Sequence, residues 1–195
     1  MPRIYGNRVV LREYQPEDLA AIRSWHSLPG PTATLSSIFV RPHTVRDAEG
    51  FVEEMLHNRA PGWYFVIAHR ETGDYIGQID LRGGSLPNRH ADLGMVIPDA
   101  ANQGRGYGTE ALGLLLQFGF CYAGLHRIGL EVYEFNHRAI HLYRKVGFRD
   151  EGRLRDYIYR DGAWHDTLLM GMLSSEFDCS SSGWISSGLQ MQERA

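Results

Sequence analysis

Cysteine is almost absent from this sequence: Cys121 and Cys179 are the two in 195 residues, and they form no C-x-x-C pair. That scarcity suggests neither a disulfide framework nor a cysteine zinc site, and Cys121, inside an apolar helical run, reads as a small core residue. Long apolar runs are missing as well. No stretch approaches the roughly 18 apolar residues of a membrane span. The opening MPRIYGNR is charged within three residues and has no leader-like apolar segment, so the cytoplasm is the expected compartment and no membrane partner is expected. Charge of one sign is also lacking, since 20 Lys and Arg against 23 Asp and Glu leave a formal net charge of −3. A clustered basic face for nucleic acid is therefore not expected. What remains is 43% hydrophobic and 22% charged residues, the balance of one globular domain with a real core.

Along the chain, RVVLREY (8–14) alternates apolar and charged residues as a half-buried strand does. QPEDLAAIRSWHS follows, with proline near a helix start and Leu19, Ile22 and Trp25 at helical spacing. LPGPTATLSS (28–37) reads as a loop, and VRDAEGFVEEMLHNR (45–59) as a second helix. WYFVIAHR, the turn ETGD and YIGQIDLRG predict an antiparallel hairpin, and ADLGMVI (91–97) a fourth strand ended by Pro98. A mostly apolar helix over 109–123, a strand over 126–134 and a helix over 137–146 stopped by Gly147 come next, then two strands around the turn RDGA. The sum is an α/β domain whose antiparallel strands lead into a central parallel strand–loop–helix–strand unit. After Phe177, DCSSSGWISSGLQMQERA has the composition of a flexible tail, 178–195, in which Trp184 and Ile185 are candidates for self-association into a homodimer.

The segment NQGRGYGTEA (102–111) sets Gly104, Gly106 and Gly108 at alternate positions between a strand and a helix. Unpaired backbone N–H groups and the positive end of the helix dipole make such a turn an anion site. A P-loop would need G-x-x-x-x-G-K-[ST], and no lysine lies between Gly104 and Thr109. A dinucleotide turn would need a third glycine where Thr109 stands. Gln103, Gly106 and Gly108 instead fit Q-x-x-G-x-G, although glycines chosen only for packing of a tight turn remain an alternative. His137 and His141 lie one helical turn apart, but H-E-x-x-H needs Glu where Arg138 stands, so no metal is expected.

That turn resembles the pyrophosphate-binding turn of the GNAT superfamily of N-acetyltransferases. NHRAIHLYRKVGF (136–148) resembles the superfamily's second motif, N-x-x-A-x-x-x-Y-x-x-x-G-F, with Asn136, Ala139, Tyr143, Gly147 and Phe148 in place. DGAWHDTLLMGMLSSEF is similar to the last strand of the branch that holds ribosomal-protein N-terminal and spermidine acetyltransferases. The resemblance spans about residues 7–177 and implies a single domain over 1–177. It implies about seven mostly antiparallel strands in a mixed sheet with about four helices, and acetyl-CoA as co-substrate.

The same resemblance implies roles for individual residues. Met95, Val96 and Ile97 would pair with the pantetheine arm. The backbone of Gln103, Gly104, Arg105, Gly106, Tyr107, Gly108 and Thr109 would cradle the pyrophosphate, with the Arg105 and Thr109 side chains adding donors, and Asn136 would contact the cofactor or hold its loop. Tyr143 would stand beside the thioester sulfur. A phenol with pKa about 10 is a weaker acid than a thiol near 8.5, so hydrogen bonding to the leaving sulfur outweighs proton delivery. Asp92 falls where some relatives carry a catalytic glutamate, with Glu131 in reserve. The acceptor is an amine: a protein N-terminus, a polyamine, or an amine-bearing antibiotic or metabolite. Its side of the site is implied to lie at about 25–60 and near Trp164, where Asp47, Glu49, Glu53 and Glu54 can attract a cation. A catalytically silent acyl-CoA sensor and a nucleotide-binding interaction domain are the competing functions.

Overall fold

The computed structural model describes residues 3–26, 32, 34–35, 44–57, 61–85 and 87–180. Among these the strands are β1 (Ile4–Tyr5), β2 (Val9–Arg12), β3 (Gly62–His69), β4 (Tyr75–Ser85), β5 (His90–Val96), β6 (Arg127–Tyr133), β7 (Arg149–Arg160) and β8 (Ala163–Leu173). The helices are α1 (Asp18–His26), α2 (Val45–Leu56), α3 (Tyr107–Gln117) and α4 (His137–Val146). Among the described residues one sheet of eight strands runs β1-β2-β3-β4-β5-β6-β8-β7, in which only β5–β6 pairs in parallel. The mixed α/β architecture follows the sequence pattern, with one strand more than expected. The extra one, β1, is two residues long, too short for any periodicity to mark it.

Each face of the sheet carries its own core. On one side Leu112, Leu115 and Leu116 of α3 and Ile140 and Tyr143 of α4 pack on Phe65, Ile67, Ile79, Leu81 and Ile128. On the other, Ile22 and Trp25 of α1 and Val52 of α2 pack on Val10, Val66 and Ala68. A buried ion pair joins β2 to α1, Arg12 Nη2 to Asp18 Oδ1 at 2.8 Å, while Asp18 Oδ2 accepts from the Gln15 N–H at the helix entry. Because strand side chains alternate, the inward Ile79 and Leu81 leave Asp80 and Arg82 of β4 on the α1/α2 face.

The position of the site depends on where β5 and β6 part. They pair at only three positions, His90 with Arg127, Ala91 with Ile128 and Asp92 with Gly129. Beyond these, β5 continues on β4 as far as Val96, and β6 continues on β8 as far as Tyr133. The sheet is thus open between the two strands after Asp92.

The two cysteines depart from the sequence expectation of an unpaired core residue. Cys121 and Cys179 form a disulfide across 58 positions, and Cys121 is exposed rather than in the core. A regular helix would stack position 121 over Leu114 and Phe118, both buried. Instead α3 runs on into a π-turn at Phe118–Tyr122, where the Ala123 N–H donates to the Phe118 carbonyl, and the widened turn swings Cys121 outward. Phe120 takes the inward place and its ring meets Phe177 at 5.4 Å, which carries the chain end towards Cys121. Trp184 and Ile185, and most of the loop at 28–37, lie outside the described residues. Among the described residues no helix is long and apolar enough to cross a membrane.

Candidate active site

The glycine turn is shaped by left-handed backbone. Gly104 has φ 75° and Gly106 φ 84°, conformations that side chains resist. Gly106 is the N-cap of α3 and has no side chain to cap it, so the N–H groups of the first turn stay available to an anion. Gly106 is also bare because Arg8 lies against it: a Cβ there would stand 2.8 Å from Arg8 Nη2. Arg8 donates to the Arg105 carbonyl at 2.7 Å and stacks over the Tyr107 ring, 5.5 Å from its centroid. Glu110, 5% exposed, accepts from the Arg8 backbone N–H at 2.8 Å and from Arg8 Nε at 3.0 Å. Neither Arg8 nor Glu110 was expected at the site; the available signal was a lone acid in an otherwise apolar helix. Gly108 is different, since a Cβ there would make only ordinary contacts with Ile97 and Leu142.

From this turn a cleft of about 1370 Å³ runs along β5 and through the opening in the sheet to the β7–β8 hairpin. Its lining includes Met95, Val96, Ile97, Gln103, Gly104, Gly106, Tyr107, Gly108, Thr109, Asn136 and Tyr143, and also Asp92 and Glu131. Arg105 is exposed and stands outside the lining. Gln103 spans the cleft's upper end, its Nε2 donating to the Ile97 carbonyl at 2.7 Å and its Oε1 accepting from Arg138 Nη1 at 2.6 Å. Arg138 is a further lining residue that the motif did not single out. Asn136 caps α4 by accepting from the Ala139 N–H at 3.2 Å.

Tyr143 is 7% exposed yet lines the cleft where β5 and β6 part. Burial pushes its phenol up to about 12; the nearby Asp80 charge adds to the rise and Arg82 opposes it. Asp92, at the last paired position, is exposed, and its carboxylate lies over Gly129 beside Arg127. Arg127 is itself held by Glu151 in a bidentate pair. At the hairpin end Tyr157, Tyr159 and Trp164 are exposed, Trp164 by 60%, and the rings of Tyr159 and Trp164 lie 5.3 Å apart. The acids of α2 are not part of this cleft: Asp47 serves its own helix in a capping box with Thr44. Among the described residues no group of His, Cys, Asp and Glu is arranged to hold a metal.

Residues 8–149 match the acetyltransferase (GNAT) domain. The chain belongs to the GNAT acetyltransferase family. It is 27% identical over 173 residues to the SPbeta prophage-derived uncharacterized N-acetyltransferase YokL of Bacillus subtilis, covering 89% of this chain and 94% of the relative. It is also 27% identical over 178 residues to the spermidine N(1)-acetyltransferase of Escherichia coli K12, covering 88% of this chain and 89% of the relative. The spermidine N-acetyltransferase of Vibrio cholerae, solved in complex with CoA and spermine, superposes with a TM-score of 0.76 at 25% identity, over 87% of this chain and 97% of that one. This GNAT enzyme is an acetyl-CoA-dependent acyltransferase, and its acceptors belong to the amines.

Proposed function

We propose that the acetyl group passes from acetyl-CoA to a primary amine by direct attack in a ternary complex, with the two substrates meeting where β5 and β6 separate. The first-turn N–H groups of α3 and the bare backbone at Gly104–Gly108 take the pyrophosphate, as anions favour a helix N-terminus. The Thr109 hydroxyl adds a donor. Arg105 reaches the phosphates only from the rim, because its side chain stands outside the cleft. The β6-facing edge of β5 at Met95–Ile97, which has no partner strand among the described residues, receives the pantetheine arm as a sheet edge receives a peptide. Gln103, fixed between Ile97 and Arg138, closes the end of that slot, and Asn136 holds the start of α4 against it.

The observation that carries this reading is Tyr143, a buried residue that also lines the cleft, and on this reading its hydroxyl stands where a thioester laid along β5 ends. With its pKa near 12, outright proton transfer to a thiolate of pKa about 8.5 runs uphill by roughly 5 kcal/mol. Tyr143 therefore serves as a hydrogen-bond donor to the developing charge on sulfur, and passes a proton only as it receives another. Asp92 and Glu131 face the acceptor end, where they attract its ammonium group. Polyamines are the first acceptors to try, given the spermidine acetyltransferases among the relatives. Protein N-termini and amine-bearing metabolites or antibiotics come next.

The test is release of free thiol from acetyl-CoA with a panel of spermidine, peptides with free N-termini, amino acids and an aminoglycoside. Turnover with at least one amine is expected, and binding of acetyl-CoA without turnover would make the chain a sensor instead. Tyr143→Phe should lower kcat about a hundredfold or more, the usual loss for one donor to transition-state charge, with KM for acetyl-CoA unchanged. Undiminished turnover would remove the role given to Tyr143.

A further inference from the structure

Asp80 lies one strand away from the expected acid, Asp92, and its surroundings differ. In the register of β4 with β5 it stands opposite Gly94, just past the last pairing of β5 with β6 and so level with the opening in the sheet. Its carboxylate lies across the bare backbone of Gly94: a Cβ there would come within 2.7 Å of Oδ2 and 2.9 Å of Oδ1. Glycine at 94 leaves room for this carboxylate against β5, directly behind the part of the cleft wall that Gly94 and Arg82 form; Asp80 itself is not a lining residue. The side chain is 14% exposed, and its buried Oδ2 has no hydrogen-bond partner among the described residues. The facing groups are Arg82 on the same strand, with Nε at 3.6 Å, Tyr64 opposite on β3, Tyr14 after β2 and Tyr143 on α4. From β5 the backbone of Gly94 lies against it.

A buried carboxylate kept for stability is paired, because an unpaired one costs free energy. Asp80 has an ion-pair partner in Arg82, but at 3.6 Å no hydrogen bond reaches its Oδ2, and a carboxylate held so loosely beside a reaction site is suited to take up a proton. Resting on the acyl-transfer reading above, we infer that Asp80 is the base that removes the proton from the acceptor's ammonium group, directly or by way of a solvent molecule in the cleft. One N–H proton passes to the Asp80 carboxylate, and the freed lone pair on nitrogen attacks the thioester carbonyl carbon. The C–N bond forms and the C–S bond breaks. The surplus proton on the amide nitrogen reaches the sulfur through the Tyr143 hydroxyl, coenzyme A leaves as the thiol, and Asp80 then returns its proton to solvent. Asp92, exposed beside Arg127, has water competing for any proton it might take, which suits attraction of the ammonium better than its deprotonation.

Burial raises the Asp80 pKa and Arg82 only partly offsets the rise. The ionised, proton-accepting form is lost as pH falls through the raised value, so turnover has an acidic limb that belongs to Asp80. Because the folded chain binds this proton more tightly than the unfolded one, Asp80 lowers stability as pH rises from the ordinary carboxylate range through the raised value.

The experiment uses the full chain at saturating acetyl-CoA, with spermidine as acceptor or, should spermidine not react, the fastest amine of the panel. Asp80→Asn should lower kcat at pH 7.5 about a hundredfold, the lower end for loss of a general base, and abolish the acidic limb while leaving KM for acetyl-CoA in place. It should also raise the melting temperature at pH 8, with the gain vanishing near pH 4, whereas Asp92→Asn keeps the limb. A wild-type chain that acetylates no amine overturns the acyl-transfer reading together with this inference. With wild-type turnover present, three results overturn Asp80 alone: an unchanged Asp80→Asn profile, a melting temperature that falls while the limb persists, or a limb that disappears in Asp92→Asn.

Discussion

At the scale of single residues, the groups nearest the glycine turn are bound to it by contacts that the chain order hides. Arg8 and Glu110 are separated by 102 positions, yet the carboxylate holds Arg8 by its backbone N–H and by its guanidinium. Arg8 in turn holds the Arg105 carbonyl. Such a brace fixes the direction of the first-turn N–H groups without itself being required for the acyl transfer. Arg8→Ala should therefore raise KM for acetyl-CoA about tenfold with little change in kcat, a split that steady-state kinetics resolves; equal loss in both would place Arg8 nearer the reacting atoms. The glycines and Tyr143 were legible because their spacing is local and survives as a string. Asp80 was not, because an aspartate between Ile79 and Leu81 reads as the solvent side of an alternating strand. Only the register that sets Gly94 opposite it reveals a buried carboxylate whose Oδ2 accepts no hydrogen bond among the described residues and whose ion pair with Arg82 is a long one, 3.6 Å.

At the scale of elements, α4 shows how much a helix can declare in advance: Asn136 at its start and Gly147, with φ 115°, at its end bound it where the sequence pattern did. The helix α3 shows the limit. Its apolar run continued smoothly past Gln117, and nothing in the pattern marked the π-turn that turned Cys121 outward and allowed the bond to Cys179. The bond ties the segment after β8 to the far end of α3, away from the glycine turn at its N-terminus. Closing a loop of this length constrains the unfolded chain by about 2–4 kcal/mol. Reduction, or Cys121→Ser, should then lower the melting temperature by several degrees while acetyl transfer continues at its former rate. A compartment that keeps thiols reduced would hold the enzyme in that less stable but active form. Loss of activity on reduction would mean that the C-terminal segment supports the cleft itself.

At the scale of the whole molecule, the chain is two sheet segments joined along a short seam. Strands β1 to β5 with α1, α2 and α3 make one, and β6, β8 and β7 with α4 make the other. Within the sheet, among the described residues, the three residue pairs between β5 and β6 connect them. Hydropathy could order the strands, but the length of that seam is a matter of twist and packing that no residue announces. Acetyl-CoA laid along the cleft would touch the α3 turn and β5 on one side of the seam and α4 on the other, so binding should fasten the two segments together. At about a hundred times Kd, a ligand that binds only the folded chain adds roughly 2.7 kcal/mol, which appears as a raised melting temperature. Its location is the sharper test. Backbone N–H groups of β5 between Leu93 and Ile97 that face the opening have no strand partner there, whereas those facing β4 are already bonded. Hydrogen exchange should slow at the first set on adding acetyl-CoA and change little at the second. Uniform slowing across the sheet, with no preference for the open edge of β5, would show that the ligand does not complete the sheet along this edge.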